Sequence, residues 1–244
     1  MKKLLTFASR NAKEILRDPL TLFFGLGFPI VLLLLLSAIQ ASIPVPLFEI
    51  AHLTPGITVF GLSFMTLFSA LLIAKDRESA LLERLYTTPL TPLDFILGYT
   101  LPLLPIALAQ SAVTYAAALI LGLAPTPSIL LALAFVLPVS VLFIALGLLF
   151  GSILTDKQVG GICGALLTNL SAWLSGIWFD LSLVGGVFEK IAYALPFVHA
   201  VELERALVRG ELIPALPHLW WVLGYGIAAL ALAVLLFLRQ MKKR

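Results

Sequence analysis

Residues 20–39 read LTLFFGLGFPIVLLLLLSAI, a run of 20 residues without a charged side chain. A helix rises 1.5 Å per residue, so this run covers about 30 Å, the thickness of the hydrocarbon core of a bilayer. The apolar core of a signal peptide is shorter, about 7–15 residues. A basic segment of 17 residues also precedes the run. We therefore expect a retained membrane span.

The composition of the whole chain agrees with this expectation. Of its 244 residues 61% are hydrophobic and only 12% are charged, whereas soluble domains carry about 25% charged residues. Most of the surface must therefore face lipid. The net charge of +3 does not indicate nucleic-acid binding, because the basic residues lie beside apolar runs, where they set membrane orientation.

The sequence predicts an all-α integral membrane protein, a single transmembrane domain over 1–244 with six transmembrane helices. The expected spans are 20–39, 56–74, 95–121, 129–154, 159–178 and 219–238. The third and fourth are long and contain Pro102, Pro105 and Pro138, so tilt, a kink or a cytoplasmic extension is expected there. Alternate loops hold 13 of the 16 lysines and arginines on one side, which places both termini in the cytoplasm.

Three shorter helical features accompany the spans. Residues 3–17 form an amphipathic helix with one basic face, suited to the inner membrane surface; a soluble helix is the alternative. A second amphipathic helix is expected at 77–87, in a cytoplasmic loop. The outer stretch 183–209 is predicted to form a re-entrant helical hairpin closed by Gly210, or else a folded surface lid.

The sequence contains few residues or motifs that indicate catalysis or ion transport. It contains no Gly-x-x-x-x-Gly-Lys-[Ser/Thr] phosphate loop, so we expect no ATP hydrolysis. The predicted spans contain no Asp, Glu, Lys, Arg or His, which argues against a proton-driven carrier. Four neutral polar residues are candidates for a substrate pathway or for hydrogen bonds between helices: Thr66, Gln110, Thr114 and Asn169.

Small residues and histidines have simpler interpretations. The spacing of Gly147 and Gly151 predicts close helix packing, within the chain or between two copies. The three histidines fall in predicted outer loops, where exposed or interfacial positions are expected rather than a metal site. Cys163 lies in an apolar run and is expected to be a small packing residue.

Four motifs support a family resemblance. The run KDRESALLERLYTTPLTPLDF at 75–95 resembles the loop between spans two and three of type-2 ABC exporter permeases, which usually reads acidic-acidic-Gly-Thr-Leu-Glu-x-Leu-x-x-Thr-Pro. The Gly-Thr pair of that pattern is replaced here by Ala80 and Leu81. Segments 10–19, 53–56 and 195–202 resemble, in order, the elbow helix, the start of span two and the segment before span six. Together these motifs cover nearly the whole chain.

The resemblance implies a permease subunit of an ATP-driven exporter, located in the plasma membrane of a prokaryote. It implies two ATPase subunits, which bind ATP and Mg²⁺, and a second permease copy or sister permease; membrane lipids are further partners. No cofactor, metal or nucleic acid is expected on this chain. In this family the helix at 77–87 is a coupling helix that docks on the ATPase. Its expected contact residues are Arg77, Glu78, Leu81, Leu82, Glu83, Arg84 and Leu85.

Other functions remain as alternatives at this stage. A stand-alone channel or secondary carrier would need titratable groups in the spans, and an intramembrane enzyme would need a catalytic cluster. A membrane subunit that associates with an ABC ATPase without transporting is compatible with the sequence. The absence of charge in the spans favours export of an amphipathic or lipid-like substrate over a small ion.

Overall fold

The computed structural model describes residues 2–44, 48–79, 81 and 90–242. All regular structure in these ranges is helical, and this confirms the all-α prediction. The helices are α1 Lys2–Arg17, α2 Pro19–Ser42, α3 Ile50–Glu78, α4 Pro92–Thr100, α5 Leu103–Ile120, α6 Ser128–Gly151, α7 156–173, α8 Gly186–Ala194, α9 Pro196–Val208 and α10 Leu212–Lys242.

Within the described ranges, five helical stretches are long and apolar enough to cross a membrane: Pro19–Ser42, Ile50–Glu78, Leu93–Ile120, Ser128–Gly151 and Leu212–Arg239. They coincide with five of the six predicted spans, so the chain is a multi-pass membrane protein. The remaining predicted span, 159–178, falls on α7. This helix begins with the polar run 156–158 and ends at Trp173, before turns in which Gly176 has a φ of +69°. Six spans therefore stay a prediction.

The helix α3 forms the centre of the bundle. In its apolar stretch 89% of the residues are buried inside the chain, against 17% for α2 and 28% for α10. The remaining surfaces of α2 and α10 carry exposed leucines, which suits contact with lipid. Several of the polar side chains described below, such as Asp76 and Thr66, belong to α3.

Small residues let α6 approach α3 closely. A Cβ atom on Gly147 would lie 1.8 Å from the Ser69 Oγ and 2.3 Å from the Thr66 carbonyl oxygen. One on Gly151 would lie 2.6 Å from the Ala70 carbonyl oxygen. Of the two interpretations of this glycine pair, packing within the chain is therefore the one observed.

Prolines shape two of the spans. Asp18 caps α2 by accepting hydrogen bonds from Leu20 N and Thr21 Oγ1, with Pro19 in the first turn. The helix then widens into a π-turn over Phe23–Gly27, which accommodates the missing N–H of Pro29. A turn at residues 101–102 separates α4 from α5, so the helix is interrupted at Pro102.

The stretch predicted as an outer hairpin consists of two helices, α8 and α9, in contact with each other. Every residue of α9 except Glu202 is buried, and the helix packs against α3, α6 and α10. Gly210 ends it with a φ of +78°, and the Gly210 and Glu211 amides donate to the Leu207 and Ala206 carbonyls. We call this end of the bundle the hairpin end, and the opposite one, formed by α1 and the end of α3, the α1 end.

Candidate coupling site at the α1 end and buried polar residues of the bundle

A buried carboxylate joins three helices at the α1 end. Asp76, in the last turn of α3, is 1% exposed. Its Oδ2 lies 2.6 Å from Arg10 Nη1 of α1, and it accepts a hydrogen bond of 2.9 Å from the Tyr99 hydroxyl of α4. Moving α1 or α4 away would leave this buried carboxylate with one donor fewer, which costs free energy. The contact therefore holds the three helices together at one point.

Further contacts hold α1 against α4. The buried Asn11 Nδ2 donates to the Gly98 carbonyl at 3.0 Å. Phe7 packs edge-on against Tyr99 and Phe95, with ring centroids 5.0 and 5.8 Å apart. Since α3 ends before residues 80–89 and α4 begins after them, α1 is bonded to the helices on both sides of the segment that the sequence predicts to couple to an ATPase.

Arg77 and Glu78, at the end of α3, bond to the connection between α6 and α7. The Arg77 guanidinium donates to the Ser152 and Leu154 carbonyls, at and beyond the end of α6, where helical carbonyls lack partners. The Glu78 carboxylate accepts from the Asp156 amide at 2.9 Å, at the start of α7. Both side chains therefore cap neighbouring helices of this chain, a role that sequence reasoning missed.

Of the predicted coupling residues the structure describes only three. They are Arg77, Glu78 and Leu81, and Leu81 is partly exposed. The others, Leu82, Glu83, Arg84 and Leu85, lie outside the described residues. Contact of this segment with an ATPase stays a prediction.

A basic cavity opens beside this end of the bundle. Its volume is about 990 Å³, and its walls contain four cationic residues, Arg10, Lys13, Arg17 and Lys75, and two acidic ones, Glu14 and Asp18. Arg10 also pairs with Glu14 at 2.7 Å. A surface with this excess of cations favours acidic groups, either on a protein partner or on lipid headgroups.

Three of the four pathway candidates lie inside the bundle. Thr66 Oγ1 donates to the Phe143 carbonyl of α6 at 2.8 Å. Gln110 Nε2 lies 3.4 Å from the Thr58 carbonyl of α3 and 3.4 Å from Thr114 Oγ1. Thr66, Gln110 and Thr114 are fully buried, and in this arrangement they make hydrogen bonds within and between helices.

Asn169 lies apart from these three residues. Its side chain is exposed on α7 and donates to the Ala165 carbonyl of its own helix at 2.7 Å. A pathway that includes all four candidates stays a prediction. The contacts described for the four residues are hydrogen bonds within this chain.

Charged residues are buried at the hairpin end, which the sequence did not predict. Arg205 of α9 is 5% exposed, pairs with Glu202 at 2.8 Å and donates to the Gly176 carbonyl at 2.9 Å. It also reaches the His52 carbonyl at the start of α3, at 3.4 Å. The next-door Glu204 is completely buried and bonds to Tyr115 of α5.

Sequence reasoning missed this pair because residues 202–205 fell outside the predicted spans. The signal was present, since the sequence Glu-Leu-Glu-Arg interrupts a helix that is otherwise nearly all apolar. The alternation of spans and loops cannot tell an exposed loop helix from one that packs into the bundle.

The expected exposure was wrong for one histidine. His199 is 6% exposed and stacks on Trp221, with centroids 4.7 Å apart. Its Nδ1 lies 2.9 Å from Nδ1 of the partly buried His218. Aromatic stacking makes burial favourable here. Among the described residues no group of three or more His, Cys, Asp or Glu side chains could hold a metal.

Comparison with known proteins places the chain in a family. The sequence model of the ABC-2 type transporter family matches residues 2–208. The chain is also 27% identical over 196 residues to nodulation protein J of Sinorhizobium fredii, a match that covers 78% of this chain and 71% of that protein. The chain belongs to the ABC-2 type transporter family and is a membrane permease subunit. Members of the family generally work with a separate ABC ATPase, and often as dimers.

Proposed function

We propose that this chain is the membrane subunit of an ATP-driven exporter that moves an amphipathic or lipid-like substrate from the cytoplasm or inner leaflet. The observation that carries the proposal is the joining of α1, α3 and α4 through Asp76, shortly before residues 80–89 in the sequence, in a chain that matches the permease family over residues 2–208. The α1 end is then the cytoplasmic end.

The coupling helix at 77–87 supplies the contact with the ATPase in this proposal. Leu81, Leu82 and Leu85 provide apolar anchors, and Glu83 and Arg84 a charged rim. A displacement of this helix by the ATPase is transmitted to the end of α3, which is the most buried of the five spans. Arg77 and Glu78 pass the movement to α6 and α7 through the capping contacts described above.

The complete transporter contains two permeases and two ATPase subunits that bind ATP and Mg²⁺. Six spans per permease, with both termini in the cytoplasm, agree with the distribution of Lys and Arg. The substrate class rests on the predicted spans, which contain no charged side chain. Uncharged spans disfavour a path for a small hydrated ion along them.

A proton-linked secondary carrier is the second candidate. A carrier of this kind needs a titratable group inside the bundle. The predicted spans contain none, but the buried carboxyl of Glu204 is such a group. A carrier of this kind would work without an ATPase. A non-transporting subunit would bind an ATPase without moving a substrate.

The deciding experiment is co-expression with the genes that neighbour this one in its genome, followed by purification in mild detergent and a search for a co-eluting ABC ATPase. We expect co-elution and transport-stimulated ATPase activity, and loss of both in Leu82→Asp and Glu83→Lys. Glu189→Lys is the matched control, since it makes the same charge change in α8 at the opposite end. Normal coupled ATPase activity in both coupling variants would exclude the docking assignment. Transport by the permease alone in liposomes would favour the carrier.

A further inference from the structure

The Glu204 carboxyl is buried without a counter-charge. The residue is 0% exposed. One oxygen, Oε2, accepts a hydrogen bond of 3.2 Å from the Tyr115 hydroxyl, and Oε1 has no partner among the described residues. An ionised carboxylate normally requires several donors or a cation when it is removed from water.

The charged and titratable groups on the surrounding helices bond elsewhere. On α9 itself, Arg205 bonds to Glu202 and to two carbonyls, and His199 bonds to His218 of α10. On α8, Glu189 is partly exposed and Lys190 exposed. Tyr115 is thus the titratable group that the described residues place in contact with this carboxyl.

The physical consequence concerns the charge of the group. Burial, which disfavours the ionised form, raises the pKa of Glu204 to about 8, and the Tyr115 hydrogen bond opposes this shift. At neutral pH the folded protein therefore holds a neutral carboxylic acid between α9 and α5. Gln would reproduce its shape and neutral charge.

We propose that Glu204 of α9, bonded to the Tyr115 side chain of α5, is a proton-binding site, which holds a proton while the carboxyl is buried and releases it to water when α9 moves and exposes the carboxyl. On release, the O–H bond of the carboxyl breaks and water takes the proton as hydronium. The carboxylate that remains is stabilised by hydration. On repacking, the proton returns and the neutral acid is buried again.

Linkage makes the effect reciprocal. If exposure of the carboxyl lowers the proton affinity of Glu204, then loss of the proton must favour exposure to the same degree. The Tyr115 hydroxyl of α5 is the described group that reports such a change directly, because it bonds to the carboxyl.

The first test titrates the carboxyl in the purified permease by infrared difference spectroscopy, using the C=O stretch of a protonated carboxylic acid. We expect a band that disappears with a midpoint near pH 8 and is absent from Glu204→Gln. Tyr115→Phe should move the midpoint to higher pH, because it removes the bond that stabilises the carboxylate. Glu202→Gln is the matched control on the same helix and should leave the band unchanged.

Two results would overturn the proposal. One is a band that is already lost below pH 6, and the other is a band that survives in Glu204→Gln. If Glu204→Gln does not fold, the test rests on the shift of the midpoint in Tyr115→Phe, because that variant retains the Glu204 carboxyl. None of these measurements requires an ATPase, so their failure is distinguishable from failure of the exporter assignment.

The second test asks whether the proton governs packing. Hydrogen exchange of the α9 amides is compared at pH 6 and pH 9 in the wild type and in Glu204→Gln, so that the intrinsic pH dependence of exchange cancels. We expect loss of protection at pH 9 in the wild type only. Equal protection in the two proteins at both pH values would show that the proton does not control α9.

Discussion

The Arg10 guanidinium of α1 lies 2.6 Å from the Asp76 carboxylate of α3, and Asp76 is almost fully buried. The first helix of the chain is thereby bonded to the end of the central span. The contact lies directly before the segment that we propose to couple to the ATPase, so under that proposal it ties α1 to any movement of the segment.

Removal of this contact should weaken the α1 end. Arg10→Ala leaves the Asp76 carboxylate with the Tyr99 hydroxyl, and loss of a hydrogen bond to a charged group costs about 1.5–3 kcal/mol. We expect a lower thermal unfolding temperature in detergent and reduced coupled ATPase activity. Lys13→Ala removes an exposed cation from the same helix and should have little effect on unfolding. Equal unfolding temperatures for the two variants would show that the ion pair does not stabilise this end.

Arg77 should hold the end of α6 in place. In Arg77→Ala the Ser152 and Leu154 carbonyls lose their donors, so we expect faster hydrogen exchange at the end of α6. Arg77→Lys should recover only part of the protection, because an ammonium group lacks the planar fork of a guanidinium. The exposed Lys75→Ala is the control. Unchanged exchange in Arg77→Ala would contradict the capping role.

Gly147 should tolerate no side chain. The Cβ of Gly147→Ala would overlap Ser69 and the Thr66 carbonyl, so α3 and α6 must move apart at a cost of about 1–3 kcal/mol. Gly224→Ala, inside α10, meets no atom within 4 Å and should be neutral or stabilising, since Ala favours helix. The comparison is made by thermal unfolding. A stable Gly147→Ala protein would mean that the two helices are less closely packed than described.

Arg205 should secure the hairpin end. Arg205→Met keeps an unbranched side chain but removes the donors to Glu202 and to the Gly176 and His52 carbonyls, a loss of about 1–3 kcal/mol. We expect reduced protection of α9 from hydrogen exchange. Arg209→Met is the control, because Arg209 pairs with Glu211 where both are about half exposed and such pairs contribute little. Similar exchange in both variants would argue against the anchoring role.

The stability of the protein should fall as the pH rises through about 8. The folded-state pKa of Glu204 is about 8, above its ordinary value of 4.5, so its contribution is fully present below pH 4.5 and is lost as the pH rises through 8. Thermal unfolding between pH 5 and 9 should therefore decline more steeply in the wild type than in Glu204→Gln. Parallel curves would show that the residue is not neutral in the folded state.

The sequence determined the helical class, the membrane environment and the approximate position of five spans. These properties follow from the length and apolarity of runs such as 20–39 and from local breaks such as Asp18-Pro19, which act through the backbone of a single helix. The closure of α9 by Gly210 was equally local and was predicted correctly. Family membership followed from motifs whose order along the chain is visible without a structure.

Only the tertiary structure decided which polar residues lie inside. Asp76 and Glu204 stand near predicted loops, yet both are buried because helices distant in sequence pack over them. Arg77 resembles a residue of an exposed rim, but its partners are carbonyls 75 and 77 residues further along the chain. The hydropathy of a segment can be read from its own residues, but the helices that will cover it cannot. Burial, and with it the charge state of an acidic side chain, is therefore fixed only when the helices assemble.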